Sequence, residues 1–445
     1  MTKSIFPRPH RLVLLSLLGL MGCYSSEASE SFADKAVAID WVDPPCAVPG
    51  SEAGYIEGNG FGAENVTITV GGIEAEVLAA TGMDASFVVP AEGLSPGDEI
   101  EVVVENPGGR LATIDWRVCE TARLTGIGLF EGDRTAALDV SGNGNVVAAL
   151  SSPSSTMSTA LLWRDGVLES LPPLFPEILL TSVVGASFDG SILVGSTRYD
   201  TSPGVGATEA VLWDNGVISP LGDLPGGGFH SEALAVSADG SVVVGRCDEA
   251  LFFHNVACRW VDRGAPEALL SGGSPIVDAR ATGISDDKTI IVGTVVINAV
   301  WRGFVLQNGV RSLLDQSDQA FRVSADGSVV VGTSLNHLGD EVASRWVNQG
   351  PLERIAPLEE RSWARDVSAD GSVIVGQLAS GRAFRWTEVD GLQLIEDLLI
   401  AEGVDLGSWN LINATGISDD GRTIVGTGSN AGVEGWIAIL PLPLD

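Results

Sequence analysis

The sequence predicts an all-β protein, a small antiparallel sandwich followed by a seven-bladed β-propeller, and three observations carry that expectation. The stretch Val236-Ser237-Ala238-Asp239-Gly240-Ser241-Val242-Val243-Val244-Gly245 recurs in weaker form six more times. Its serines are Ser141, Ser187, Ser237, Ser285, Ser324, Ser368 and Ser418, in steps of 39 to 50 residues, a period that belongs to propeller blades. Ahead of the repeats, about eighty residues alternate apolar and polar between Gly, Pro and Asn turns, the pattern of short half-buried strands. The 55 glycines against three tyrosines suit many tight turns.

Lys3, Arg8 and Arg11 precede the apolar residues 12–21. That run is too short to span a bilayer and reads as an export signal over residues 1–22. It ends in Leu20-Met21-Gly22-Cys23, which resembles the bacterial lipobox, although Met21 is tolerated rather than favoured at its position. The resemblance implies that Cys23 becomes the lipidated first residue of a mature lipoprotein, with several acyl chains as a membrane anchor. Tyr24 stands where an aspartate would resemble an inner-membrane retention signal. The expected address is therefore the outer membrane or cell surface of a Gram-negative bacterium. Residues 23–35, rich in Ser, Glu and Ala without apolar periodicity, form a solvated tether.

The chain carries 25 Lys+Arg against 58 Asp+Glu, a net charge of −33, and removal of the leader makes it more acidic still. A nucleic-acid partner is excluded because its phosphates would be repelled. The acidic surface is read as a device for solubility, with no specific cation site.

Residues 36–119 hold the first folded module. Val66-Thr67-Ile68-Thr69-Val70, Glu74-Ala75-Glu76-Val77, Ala85-Ser86-Phe87-Val88-Val89 and Glu101-Val102-Val103-Val104 alternate as strands of a small sandwich. Gly58-Asn59-Gly60-Phe61-Gly62, the Val70-Gly71-Gly72 turn and Asn106-Pro107-Gly108-Gly109 together resemble the Ig-like IPT/TIG module, which implies a spacer or binding unit. Besides Cys23 the mature chain has Cys46, Cys119, Cys247 and Cys258, an even number suited to disulfides in an oxidising compartment. Of three possible pairings the expected one is Cys46 with Cys119, tying the ends of the sandwich, and Cys247 with Cys258, clamping a loop within one blade.

Residues 120–445 hold the repeats. In each, an apolar strand leads into the Ser-x-Asp-Gly turn, whose carboxylate accepts backbone N–H bonds and whose glycine takes positive φ. A second strand follows, then a third that ends in tryptophan in five copies, as in Ala383-Phe384-Arg385-Trp386, then an outer strand. Four strands per repeat make a propeller blade. The order of strands is similar to WD-repeat and TolB-type blades, and Leu221-Gly222-Asp223-Leu224-Pro225-Gly226-Gly227 leading into Ala235-Val236-Ser237 resembles the bacterial extracellular HAF repeat, a family of unassigned function. Gly142-Asn143-Gly144 in the first copy and Lys288 in the fourth depart from the pattern, so those two blades are expected to be less regular. The last copy lacks an outer strand, and residues 123–129 are expected to supply it and close the ring.

Seven copies of Ser-x-Asp-Gly argue for a structural turn, since an active site needs its residues once, and one carboxylate per turn falls short of the six or so oxygens that Ca²⁺ requires. Arg259, Arg345 and Arg385 are expected to pair with Asp239, Asp326 and Asp370. No catalytic residues, cofactor or metal site is expected: the histidines are scattered, no Ser-His-Asp arrangement is signalled, and no phosphate-cradling Gly-x4-Gly-Lys loop occurs. Function is expected where the copies differ, on the loop face opposite the Asp-Gly turns. There Tyr199, Phe229, His230, Phe252, Phe253, His254, His337, Trp363 and Trp409 form the candidate ligand-binding rim. The expected function is a non-enzymatic envelope lipoprotein presenting its propeller to a protein or glycan ligand. The alternatives are a propeller-fold carbohydrate-active hydrolase or lyase, which needs an arginine cluster and a carboxylate pair at the channel mouth, and an envelope-assembly scaffold.

Overall fold

The structure is a computed structural model that describes residues 38–43, 54–59, 61, 66–81, 83–90, 93–94, 99–117, 122–154, 157–175, 177–178, 180–202, 205–226, 228, 230–248 and 255–441. The chain divides into two units that meet between Cys119 and Glu120. The export signal, Cys23, the tether and the cysteines Cys46 and Cys119 lie outside the described residues.

In the first unit, two antiparallel sheets share one core. Ala38–Asp43, Gly54–Asn59, Asp84–Phe87 and Val77–Ala80 make one sheet, and Ile73–Glu74, Thr67–Val70, Glu99–Glu105 and Leu111–Arg117 the other. Alternation decides which residues go inside: Ile68 and Val70 are buried while Thr67 and Thr69 are half exposed, and they meet Ile56, Phe61, Phe87, Val102 and Val104. The Asn106 carboxamide accepts bonds from the backbone N–H of Gly108 (3.0 Å) and Arg110 (3.1 Å), which sets the turn that the Asn-Pro-Gly-Gly run signalled.

In the second unit, seven sets of four antiparallel strands follow one another among the described residues, the first two joined by a single parallel pairing of Ser158 with Leu180. Their innermost strands are Thr135–Val140, Leu180–Ala186, Ser231–Val236, Ala279–Ile284, Ser317–Val323, Ser362–Val367 and Asn410–Ile417. Each inner strand lies beside the next, and Asn410–Ile417 lies beside Thr135–Val140, so the sheets stand around a common axis. The fold is a β-propeller. Arg123–Gly126 pairs antiparallel with Val433–Ile439, Gly126 opposite Trp436, and so supplies the outer strand of the last sheet. Trp213, Trp260, Trp346 and Trp436, which end or lie in third strands, are fully buried between sheets. The sequence reading missed a short hairpin, Leu270–Ser271 with Ser274–Pro275, and a helix, Ile395–Ala401, that buries Ile395 and Leu399 after the sixth sheet.

The turns share one hydrogen-bond pattern. In the third, Ser237 Oγ donates to Asp239 Oδ1 (2.7 Å) and accepts from Val242 N (3.0 Å), while Asp239 Oδ1 accepts from Ser241 N (3.1 Å). The same three bonds close the turns that begin at Ser141, Ser187, Ser285, Ser324, Ser368 and Ser418, with Asn143 standing in for the carboxylate in the first. Gly142-Asn143-Gly144 and Lys288 therefore leave their turns as regular as the rest, against expectation. Lys288 reaches the same left-handed conformation, φ +63°, that Gly327 holds at +76°.

What Lys288 changes is the contact with its neighbour. A Cβ on Gly327 would run into Ile290 of the preceding sheet; Lys288 brings a Cβ to the equivalent place against the third sheet. Around the channel mouth neighbouring turns bond through the backbone: Asn143 N to Phe188 O (2.9 Å), Phe188 N to Ala238 O (2.9 Å), Asp286 N to Ala325 O (2.9 Å), Ala325 N to Ala369 O (3.0 Å), Ala369 N to Asp419 O (3.0 Å) and Asp419 N to Gly142 O (2.9 Å). Among the described residues the bond from Ala238 to Asp286 is missing, and Lys288 Nζ spans that seam by binding Asp239 and Ser241 Oγ.

The expected arginine pairs do not form. Arg259 binds Glu267, Arg345 binds Glu353 (2.8 Å) and Glu388 (3.3 Å), and Arg385 binds Gln393 (3.1 Å) and lies 3.9 Å from Asp390. The reason is register. Arg259 lies directly opposite Glu267, Arg345 opposite Glu353 and Arg385 opposite Gln393 on the outer strand, and cross-strand neighbours are close enough to capture a long side chain. The turn aspartates are meanwhile held locally by serine.

The disulfide Cys247–Cys258 joins the second and third strands of the third sheet, its Cα atoms 5.9 Å apart and both residues fully buried. It packs in the core between the second and third sheets.

Ser324→Ala should lower stability in chemical denaturation by about 1–2 kcal/mol, the loss expected for a buried backbone N–H left without its acceptor. Asp326→Ala should cost a similar amount, and the double variant less than the sum, because both act on one turn. A chelator should leave the midpoint unchanged.

Candidate functional site

The copies differ most where the inner strands face the axis. Each inner strand slips register just before its serine, between Ala137 and Asp139, Val183 and Gly185, Ala233 and Ala235, Ala281 and Gly283, Ala320 and Arg322, Ala364 and Asp366, and Ala414 and Gly416. Such a bulge re-aims the following side chain, and here it faces the axis. Four of the seven positions are Gly or Ala, which keeps the channel open, and the other three are Asp139, Arg322 and Asp366. They enclose a cavity of ≈ 110 Å³ whose mouth is lined by Phe188, Asp286 and Asp419.

Arg322 crosses this cavity. Its Nη1 donates to Thr282 O (2.8 Å), its Nη2 to Val184 O on the far side (3.5 Å), and its Nε lies 3.9 Å from Asp366 Oδ1. Asp139 Oδ2 accepts from Ala186 N (3.1 Å) of the next sheet, and Asp366 Oδ2 from Ile417 N (2.9 Å) of the next. One guanidinium thus faces two carboxyls that are each under a tenth exposed. Burial raises Asp139 to about 6 and Asp366 to about 7, against the opposing pull of Arg322. Asp419 at the mouth is raised to about 6 by burial and by Asp286 and Asp366.

The opposite mouth, on the loop face, sets arginines and carboxylates among aromatic rings. Arg280 Nη2 donates to Gln319 Oε1 (2.7 Å), and Gln319 Nε2 to Glu341 Oε1 (3.3 Å). Glu341 Oε2 takes Trp363 Nε1 (3.0 Å) and Arg361 Nη2 (2.9 Å). Arg365 lies 5.2 Å from the Phe321 ring and 5.8 Å from the Trp363 ring, Arg361 5.3 Å from Trp363, and Arg280 5.6 Å from Trp301.

Among the described candidate rim residues, Trp363 alone joins this cluster. Tyr199 donates to Glu209 (3.0 Å) and packs edge-on to Phe175 on the second sheet. His230 is exposed near Asp223 and Asp248, its backbone N–H bonded to Asp223 Oδ2 (3.2 Å), and His337 is exposed in a turn closed by Asn336. Trp409 is half-buried and packs against the core of the last sheet, apart from this cluster. Phe229, Phe252, Phe253 and His254 lie outside the described residues. The sequence reading missed Asp139, Arg322, Asp366, Arg280 and Arg365. Alignment of the copies on their serines carried the signal for the first three: two positions before the serine, only these copies depart from Gly or Ala.

No protein-family model matches the chain, and no curated protein matches it. Solved structures similar to it include the β-propeller domain of the Trilobed protease from Pyrococcus furiosus (10% identity, TM-score 0.47, 68% of this chain and 94% of that one). A structural-genomics protein of unknown function from Bacteroides thetaiotaomicron matches over 91% of this chain and 98% of its own (11% identity, TM-score 0.41). TolB from Acinetobacter baumannii matches over 79% and 78% (12% identity, TM-score 0.39). The fold rests on the sheet pairings above.

The raised carboxyls set a pH dependence. In the unfolded chain they lose protons near the ordinary carboxylate range, so the folded state holds more protons between there and about 7. Their contribution to stability is present at acid pH and is lost as pH rises through about 6 to 7. The thermal midpoint should therefore be higher at pH 5 than at pH 8, and Asp366→Asn should flatten that slope.

Proposed function

We propose that the protein is a non-enzymatic, lipid-anchored envelope protein whose Ig-like IPT/TIG module, residues 36–119, presents a seven-bladed β-propeller, residues 120–445, for binding of a protein or glycan. The observation that carries the binding reading is the loop-face cluster, where Arg280 lies against Trp301 and Arg365 against Phe321 and Trp363. Aromatic and arginine side chains are the usual anchors of a binding surface. The export reading rests on the basic and apolar leader and on Cys23, and the anchor on the lipobox resemblance. No helix among the described residues is long and apolar enough to cross a membrane.

The hydrolase or lyase alternative draws on Asp139 and Asp366, a carboxyl pair beside an arginine with raised pKa values. Each of these carboxylates, however, accepts the backbone N–H of an adjoining sheet, and Arg322 is bonded to carbonyls on both sides of the axis. That is the bonding of a wall, with little freedom left for general acid and base work.

Cys23→Ser should abolish incorporation of labelled fatty acid and move the protein from the membrane to the soluble fraction. Incubation of the full chain with envelope polysaccharide should retain the polymer without shortening it; release of new chain ends would replace the binding reading with the enzymatic one.

A further inference from the structure

Arg365 is placed as a ligand group rather than as a structural one. Its guanidinium lies against Phe321 and Trp363 and has no hydrogen-bond or ion-pair partner among the described residues, although Arg246, Arg259, Arg345, Arg361 and Arg382 are all ion-paired. Burial lowers its pKa and the charge of Glu341 only partly opposes that. A half-buried guanidinium that makes no bond within the described residues keeps its N–H donors for a ligand. Arg280 repeats the condition: its Nη2 is bonded to Gln319, but its Nε is buried with no partner. Beside it Trp301 is 45% exposed, in the strand that follows the Asn298-Ala299 turn on the loop face.

We infer that the loop-face mouth binds an acidic saccharide, with Arg365 and Arg280 taking sugar carboxylates and Trp301 stacking on a ring; this rests on the binding reading above. Guanidinium forks match carboxylates, with two parallel N–H···O bonds. The set of acceptors selects the rest of the ligand. Glu341 and Gln319 lie between the two arginines, and Glu232 next to Arg246 adjoins Arg280. Between the arginines these oxygens would repel a carboxylate and accept hydroxyl donors, so the site fits a molecule that spaces its carboxylates with hydroxyls. A uronic-acid oligomer has carboxylates on successive rings, hydroxyls between them and a flat C–H face for an indole. A polyphosphate has no hydroxyls to offer the acceptors between the arginines.

The test is titration of the full chain with trigalacturonate, with a neutral glucose trisaccharide and with triglutamate, read by calorimetry and by tryptophan fluorescence. Trigalacturonate should bind at least tenfold more tightly than either of the others. Arg365→Gln and Arg280→Gln should each weaken it by about ten- to a hundredfold, the range for a charge-assisted bond, while the thermal midpoint stays level or rises; a group that merely packed the mouth would lower the midpoint and leave selectivity intact. Equal binding of the neutral sugar or of triglutamate, or no binding of trigalacturonate at millimolar concentration, would overturn the saccharide assignment. If the neutral sugar binds and Trp301→Ala abolishes it, the charge assignment falls while the binding function stands. Conversion of trigalacturonate to shorter products would instead remove the non-enzymatic reading.

Discussion

The constraint on which the propeller depends is the serine hydroxyl buried at the end of every inner strand. It accepts the backbone N–H of the second strand and hands its proton to the carboxylate or carboxamide two residues on, so a sharp reversal is closed without an unsatisfied polar group. With the reversal closed, the next residue is free to bond to the adjoining sheet, and the sheets are joined at the mouth by backbone as well as by side-chain packing. Most of the glycines in these turns serve that join: at Gly327 and Gly371 a Cβ would collide with Ile290 and Val329 of the preceding sheet.

The seam between the third and fourth sheets shows what happens when the glycine is replaced. Lys288 keeps the turn but brings a Cβ into the join, the backbone bond at the mouth is absent, and the ammonium group restores a link to Asp239, whose carboxyl it holds well below the usual range. A groove lined by Arg259, Glu267, Leu270, Lys288 and Asn308 opens along the same seam. One departure from the repeat thus shifts the contact between sheets while leaving the fold of each sheet alone.

The axis divides the chemistry into two ends. Toward the turns, three charged residues follow a strand bulge and narrow the channel, with Arg322 shared by two carboxyls whose pKa values burial raises. Toward the loops, the charges are mostly arginines set against rings, two of them with donor groups left unused. The difference matters for function, because a group whose bonds are all made within the wall has little to offer a ligand, and a group with none has its whole capacity in hand.

The period, the strand order and the missing outer strand were legible in the sequence, because they are properties of local pattern: alternation, an Asp-Gly turn and a copy that stops one strand short. The pairing of Cys247 with Cys258 was legible for the same reason, both cysteines lying within one repeat. The partners of Arg259, Arg345 and Arg385 were not, since cross-strand register places them beside the outer strand and no residue count along the chain reveals that. Nor could the sequence bring Asp139, Arg322 and Asp366 together, or separate Trp363 from Tyr199 and Trp409. Those residues lie on different sheets, and their distances depend on how a ring closes and where each inner strand bulges, which is decided by backbone hydrogen bonds between segments dozens to hundreds of residues apart.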